Sequence, residues 1–175
     1  MHFLRHPFPR YDSAARAQDV IRRVIGIGSP FGDDAVGWRV IELLRGRLAP
    51  GVELLALDRP GPGLVTALEG VEHAVIIDAI RSGESAGTLR RIAFEALERI
   101  PDSPSSHGFG VAHALRLAAA LGSLPPRLDI HTIELGELAG DGLSPEVETA
   151  AQTLAEQLAD EFRAMPTRRC PASAG

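Results

Sequence analysis

The chain contains no lysine and no asparagine; all 18 of its basic residues are arginine. Without a lysine amine there is no Schiff-base chemistry, no Ser–Lys hydrolase and no Walker-type phosphate loop. Without asparagine a Cys-His-Asn triad cannot be assembled. The single cysteine, Cys170, excludes a disulfide framework and suits a reducing compartment, so a cytoplasmic protein is expected. No apolar run approaches the roughly 20 residues of a membrane helix, so no membrane association is expected. A net charge of -5 argues against a nucleic-acid binder, which would want a basic face. What remains for chemistry is carboxylate, histidine, serine, arginine or a metal.

An apolar fraction of 45% and a charged fraction of 23% are those of a globular chain, and 175 residues suit one domain. Residues 1–23 hold five Arg, two His and two Pro without periodicity and read as a mobile basic arm. Residues 164–175 are small, Pro-rich and Arg-rich and read as a disordered tail. Between them, over 24–163, strands and helices alternate. Val24–Gly28, Val52–Leu57, Ala74–Asp78 and Leu128–Leu135 read as strands, with Thr88–Phe94 as an edge strand. Asp33–Leu48, Leu64–Leu68, Val111–Leu121 and Pro145–Phe162 read as helices, the last with Ser144 as its cap and Pro145 in its first turn. This order predicts a single α/β domain with a twisted, mostly parallel sheet and helices on both faces.

Ligands of such folds bind beyond the carboxyl ends of the strands, where the strand order reverses. Polar residues at strand ends are therefore the candidates. The loop Gly26-Ile27-Gly28-Ser29-Pro30-Phe31-Gly32-Asp33-Asp34 follows the first strand. Its glycines, with Asp58 ending the second strand, form a dinucleotide signature on paper. The paired acids oppose it, because they already occupy the positive helix end where a pyrophosphate would lie. One of the two can be a helix cap; a spare carboxylate suits a cation. Asp78 closes an apolar strand and would face that loop across the switch point. His107 precedes a helix, whose N-terminus keeps an imidazole neutral and able to ligate a metal. Two carboxylates and a neutral histidine from three segments form an open O/N set suited to a divalent transition metal. His113 is expected on another helix face, His131 in the core, and His73 on the surface. Gly83-Glu84-Ser85-Ala86-Gly87 matches the nucleophile-elbow pattern but lacks the strand running into the serine, so it reads as a connection.

With these motifs in order, the sequence resembles the hydrogenase maturation endopeptidases over Val24 to Phe162. The resemblance is carried by Gly26-Ile27-Gly28-Ser29-Pro30-Phe31-Gly32-Asp33-Asp34-Ala35-Val36-Gly37, then Val75-Ile76-Ile77-Asp78-Ala79, then Ser106-His107, then Gly142-Leu143-Ser144-Pro145-Glu146-Val147. It implies a metal-binding trio, Asp34, Asp78 and His107, that meets nickel already inserted in the precursor of a [NiFe] hydrogenase large subunit. It also implies one endoproteolytic cut that removes a C-terminal extension. Departures from the family pattern are Ser29 in place of the usual Asn, a loop one residue shorter, and Asp34 where the ligand is often Glu. Asp33 is assigned to capping or support. Metal-dependent and aspartic-type cleavage both fit these residues, as does a maturation chaperone that binds the precursor without cutting it.

Overall fold

The computed structural model describes residues 21–58, 60–97, 108–136 and 142–165. Nearly all of the expected basic arm and disordered tail, and His107, lie outside them. Five strands form one sheet: β1 (Arg22–Ile27), β2 (Val52–Leu57), β3 (His73–Ile80), β4 (Leu89–Ile92) and β5 (Arg127–Glu134). Their order is β2-β1-β3-β5-β4, parallel except for β4, which runs antiparallel along β5 at the edge. The helices are α1 (Val36–Leu44), α2 (Pro62–Leu68), α3 (Phe94–Leu97), α4 (Gly108–Ala120) and α5 (Pro145–Ala164), and a 3-10 turn (Gly32–Ala35) leads into α1. The α/β class read from the sequence is the fold observed.

Alternation within the strands sorts their side chains onto two faces. On one, Val24, Val75, Ile77 and Ile133 pack with α1 and α5; on the other, Ile25, Ile27, Ile76 and Ile130 pack with α2 and α4. β3 sits centrally and is buried on both faces, which is why its sequence is almost wholly apolar. In α5, Val147, Ala150, Ala151, Leu154, Ala155, Leu158, Ala159 and Phe162 make the buried stripe at helical spacing. Arg39 of α1 forks onto the Glu148 carboxylate of α5, donating through Nε at 3.0 Å and 3.1 Å and through a terminal nitrogen at 2.9 Å.

The helix α1 lies unusually close to β1 because both contribute glycine at the crossing. A Cβ on Gly37 would stand 2.1 Å from the Ile27 carbonyl oxygen, and one on Gly26 would stand 2.1 Å from the Gly37 carbonyl oxygen. Backbone cannot yield as a side chain can, so the helix would have to lift. Gly37→Ala is expected to cost roughly 3 kcal/mol by overpacking. Thermal unfolding would register this as a fall of several degrees in the midpoint; an unchanged midpoint would mean that the crossing relaxes freely.

Several boundaries differ from the sequence reading. The first strand starts at Arg22, inside the segment assigned to the arm. The helix expected over Asp33–Leu48 is a 3-10 turn followed by α1, which ends at Leu44; the chain turns through Gly46 at φ +73°. β3 continues past Asp78 to Ile80 because β5 stays paired with it, Ile80 opposite Glu134. The edge strand is shorter than expected, and Phe94 begins α3 instead. The serine-containing Gly83–Gly87 segment joins β3 to β4 with no helix leaving it. His73 is buried, not on the surface as expected: its ring stacks on Phe162 and bonds Asp129 at 2.8 Å. Burial is the main reason its imidazole titrates below the usual histidine range, with the Asp129 bond opposing. His131 is buried in the core, as expected, and His113 is exposed.

Candidate active site

The chain leaves β1 for β2 on one side and returns to β3 on the other, so the strand order reverses between β1 and β3. Beyond the carboxyl ends of these strands lies the crevice where α/β proteins place their ligands. Asp78 stands at its floor. β1 accompanies β3 only as far as the Gly26–Ile77 pair, whereas β5 pairs onward through Asp78 and Thr132. Asp78 is therefore the first β3 residue without a β1 partner. It is 4% exposed, and its Oδ1 accepts the Ala79 N–H at 2.9 Å. Burial pushes its carboxyl up to about 8, and the negative charge of Asp34 adds to the rise; the Ala79 N–H opposes it. Burial thus favours the protonated form of Asp78.

Asp34 reaches the same place from the loop after β1 and is 3% exposed. The loop folds back on itself there. The Asp34 N–H donates to the Phe31 carbonyl at 3.2 Å, and the Ser29 N–H donates to the Asp34 carbonyl at 3.3 Å. A Cβ on Gly28 would stand 2.5 Å from that Asp34 carbonyl oxygen. The space that a pyrophosphate would take beside this glycine is thus already filled by the chain. Asp58 is exposed, so the dinucleotide signature has neither its cradle nor a sheltered ribose acid.

Asp33, adjacent in sequence, points elsewhere and does not cap the helix it begins. Its Oδ2 accepts the Gly136 N–H and the Ser144 hydroxyl, both at 2.9 Å, and its Oδ1 accepts the Ser144 N–H. One fully buried carboxylate thus ties the β1 loop to the end of β5 and to the start of α5. Ser144 does hold the N-cap position of α5, but its hydroxyl serves Asp33 instead of its own helix. The two neighbouring acids have separated roles, Asp33 fastening the loop while Asp34 lies by Asp78.

The third expected residue, His107, falls outside the described residues. The helix it precedes starts at the same edge of the sheet, since a Cβ on Gly110 would meet the Pro60 ring, just after β2. Among the described residues, no three His, Cys, Asp or Glu side chains group as a metal site.

Two neighbours of the site escaped the sequence reading. Glu134 ends β5, is buried, and accepts the Ser82 N–H at 2.8 Å, the Gly83 N–H at 2.9 Å and the Ser82 hydroxyl at 2.6 Å. It fixes the turn that follows β3. The signal was there: an acid ending an apolar strand, as with Asp78. Thr132 lies in register beside Asp78, and its buried hydroxyl has no hydrogen-bond partner among the described residues.

The arrangement brings two buried carboxyl groups together beyond the β1 and β3 ends, the charge of Asp34 helping to raise Asp78. Such a pair can exchange a proton or offer oxygen ligands to a cation. Residues 38–161 match the family model of the hydrogenase maturation proteases, HycI. The chain belongs to the hydrogenase maturation protease family. The hydrogenase expression/formation protein HoxM of Cupriavidus necator is 31% identical over 146 residues, 79% of this chain and 72% of that protein. HupD of Thiocapsa roseopersicina, similarly described, is 28% identical over 148 residues, 76% of this chain and 67% of its own length. The solved structure of the hydrogenase maturating endopeptidase HybD from E. coli superimposes with a TM-score of 0.72 at 28% identity, covering 82% of this chain and 92% of that one. As a hydrogenase maturation protease the chain is a hydrolase of peptide bonds. No helix among the described residues is long and apolar enough to cross a membrane.

Proposed function

We propose that this protease removes a C-terminal extension from the nickel-loaded precursor of a [NiFe] hydrogenase large subunit, using Asp34, Asp78 and His107. The observation that carries the reading is the pairing of Asp34 and Asp78, buried together beyond the β1 and β3 ends. The three side chains would grip the nickel that the substrate brings. That ion would then polarise the scissile carbonyl or acidify a bound water. Asp33 takes no part in ligation, because its oxygens are committed to Gly136 and Ser144. The reaction belongs in a reducing, cytoplasmic setting, in keeping with a single cysteine.

A second chemistry is favoured by one observation. The raised Asp78 carboxyl beside Asp34 is the pattern of an acid pair that splits the roles of proton donor and base. The two are separated by offering the enzyme precursor with and without nickel. Metal-assisted cleavage predicts that nickel-free precursor stays intact and that re-loading restores the cut. An aspartic-type mechanism predicts cleavage of both, with a rate that falls as Asp78 loses its proton near pH 8.

A further inference from the structure

From Val24 to Val36 the chain is buried almost throughout; only Pro30 and Phe31 are exposed. Phe31 is 69% exposed, the most exposed large apolar side chain among the described residues. The other two, Leu117 and Leu121, lie toward the far end of α4. A phenyl ring in water is unfavourable, and a slack loop would fold it inward. This loop is not slack. Pro30 fixes its own φ, the Gly28 N–H donates to the Leu57 carbonyl at 3.1 Å, and the Phe31 carbonyl is held by the Asp34 N–H at 3.2 Å. Asp33 then bolts the following turn to Gly136 and Ser144. The ring is presented on a rigid base three residues from Asp34.

We propose that Phe31 is a substrate-docking residue, packing against an apolar side chain of the precursor next to the bond that is cut. The inference rests on the proposed function, since a peptide whose bond lies at Asp34 and Asp78 must pass the loop that carries both Asp34 and the ring. A peptide is favoured over a second copy of this chain because, of the three exposed large apolar side chains among the described residues, only Phe31 lies on the loop that carries Asp34. Docking of this kind binds ground state and transition state alike, so it governs KM and leaves kcat alone.

The test is initial-rate kinetics of the full chain on nickel-loaded precursor, followed by mass spectrometry, for wild type, Phe31→Ala, Phe31→Leu and Leu121→Ala. Phe31→Ala is expected to raise KM roughly 10-fold, as loss of much of a phenyl ring's burial would, with kcat within about 2-fold. Phe31→Leu should recover most of the loss, and Leu121→Ala should match wild type. An unchanged KM in Phe31→Ala overturns the proposal while leaving the protease reading intact. So does a Phe31→Ala protein whose only change, by sedimentation, is loss of self-association. Precursor binding is measured on the same proteins. Wild type that binds but does not cut, with binding weakened by Phe31→Ala, supports docking and rejects cleavage. Wild type that neither binds nor cuts rejects both.

Discussion

Asp78→Asn is expected to abolish cleavage and, at pH 8, to make the protein harder to unfold. The first effect follows from its place beside Asp34; loss of an acid–base or ligating carboxylate should lower kcat by a factor of the order of 10³ or more. The second follows from the cost of charging Asp78 in the crevice. Its folded value, about 8, lies above the ordinary 3.8. Between those values the native state holds a proton that the unfolded state has released, so stability falls as pH rises across the window. The full difference is of the order of 5 kcal/mol, most of it due to burial. Asparagine is nearly isosteric, still accepts the Ala79 N–H, and never ionises. Thermal midpoints of wild type and Asp78→Asn should therefore nearly coincide at pH 4 and diverge toward pH 8, the variant being higher. A variant less stable than wild type at pH 8 would mean that the fold stabilises the charged form.

Asp33→Ala should have the opposite character, a large loss of stability from a residue that does no chemistry. The substitution leaves the Gly136 N–H, the Ser144 N–H and the Ser144 hydroxyl, all half-buried, without their acceptor. Leaving such donors unpaired costs roughly 3 kcal/mol, several degrees in the thermal midpoint of a chain this size. Activity should fall as well, because the loop that aims Asp34 loses its fastening. Measured below the variant's own midpoint, a residual rate with normal nickel dependence would fit a positioning residue. A midpoint within about 2 °C of wild type would show that the network carries little.

The contrast between Asp33 and Asp34 marks where sequence was legible and where it was not. Local pattern identified the strands, the parallel order and the switch point, because burial on both faces writes itself as an apolar run and strand ends stand out against it. Asp78 was found in that way. A supporting role for Asp33 is legible too, but its partners are not, since they lie 103 and 111 positions along the chain and no local spacing encodes them. A cap was the reasonable local reading for an acid at a helix start. His73 was misplaced for a related reason: the side chain that covers it, Phe162, arrives with the last helix. The helix predicted to Leu48 was cut short at Leu44 because the chain turns through Gly46 with a positive φ. Glu134 carried a readable signal that went unread. Its burial depends on the turn at Ser82 and Gly83, which wraps around it.

The proposed cut of a nickel-bearing hydrogenase precursor calls on Asp34, Asp78 and His107. The most direct measurement is the intact mass of nickel-loaded precursor after incubation with wild type, Asp34→Ala and His107→Ala. The account predicts a discrete loss of C-terminal mass with wild type and none with either variant, both variants remaining folded. Stable binding without mass loss by wild type would make the protein a maturation chaperone. Cleavage undiminished in Asp34→Ala or His107→Ala would contradict the account outright and place the chemistry elsewhere.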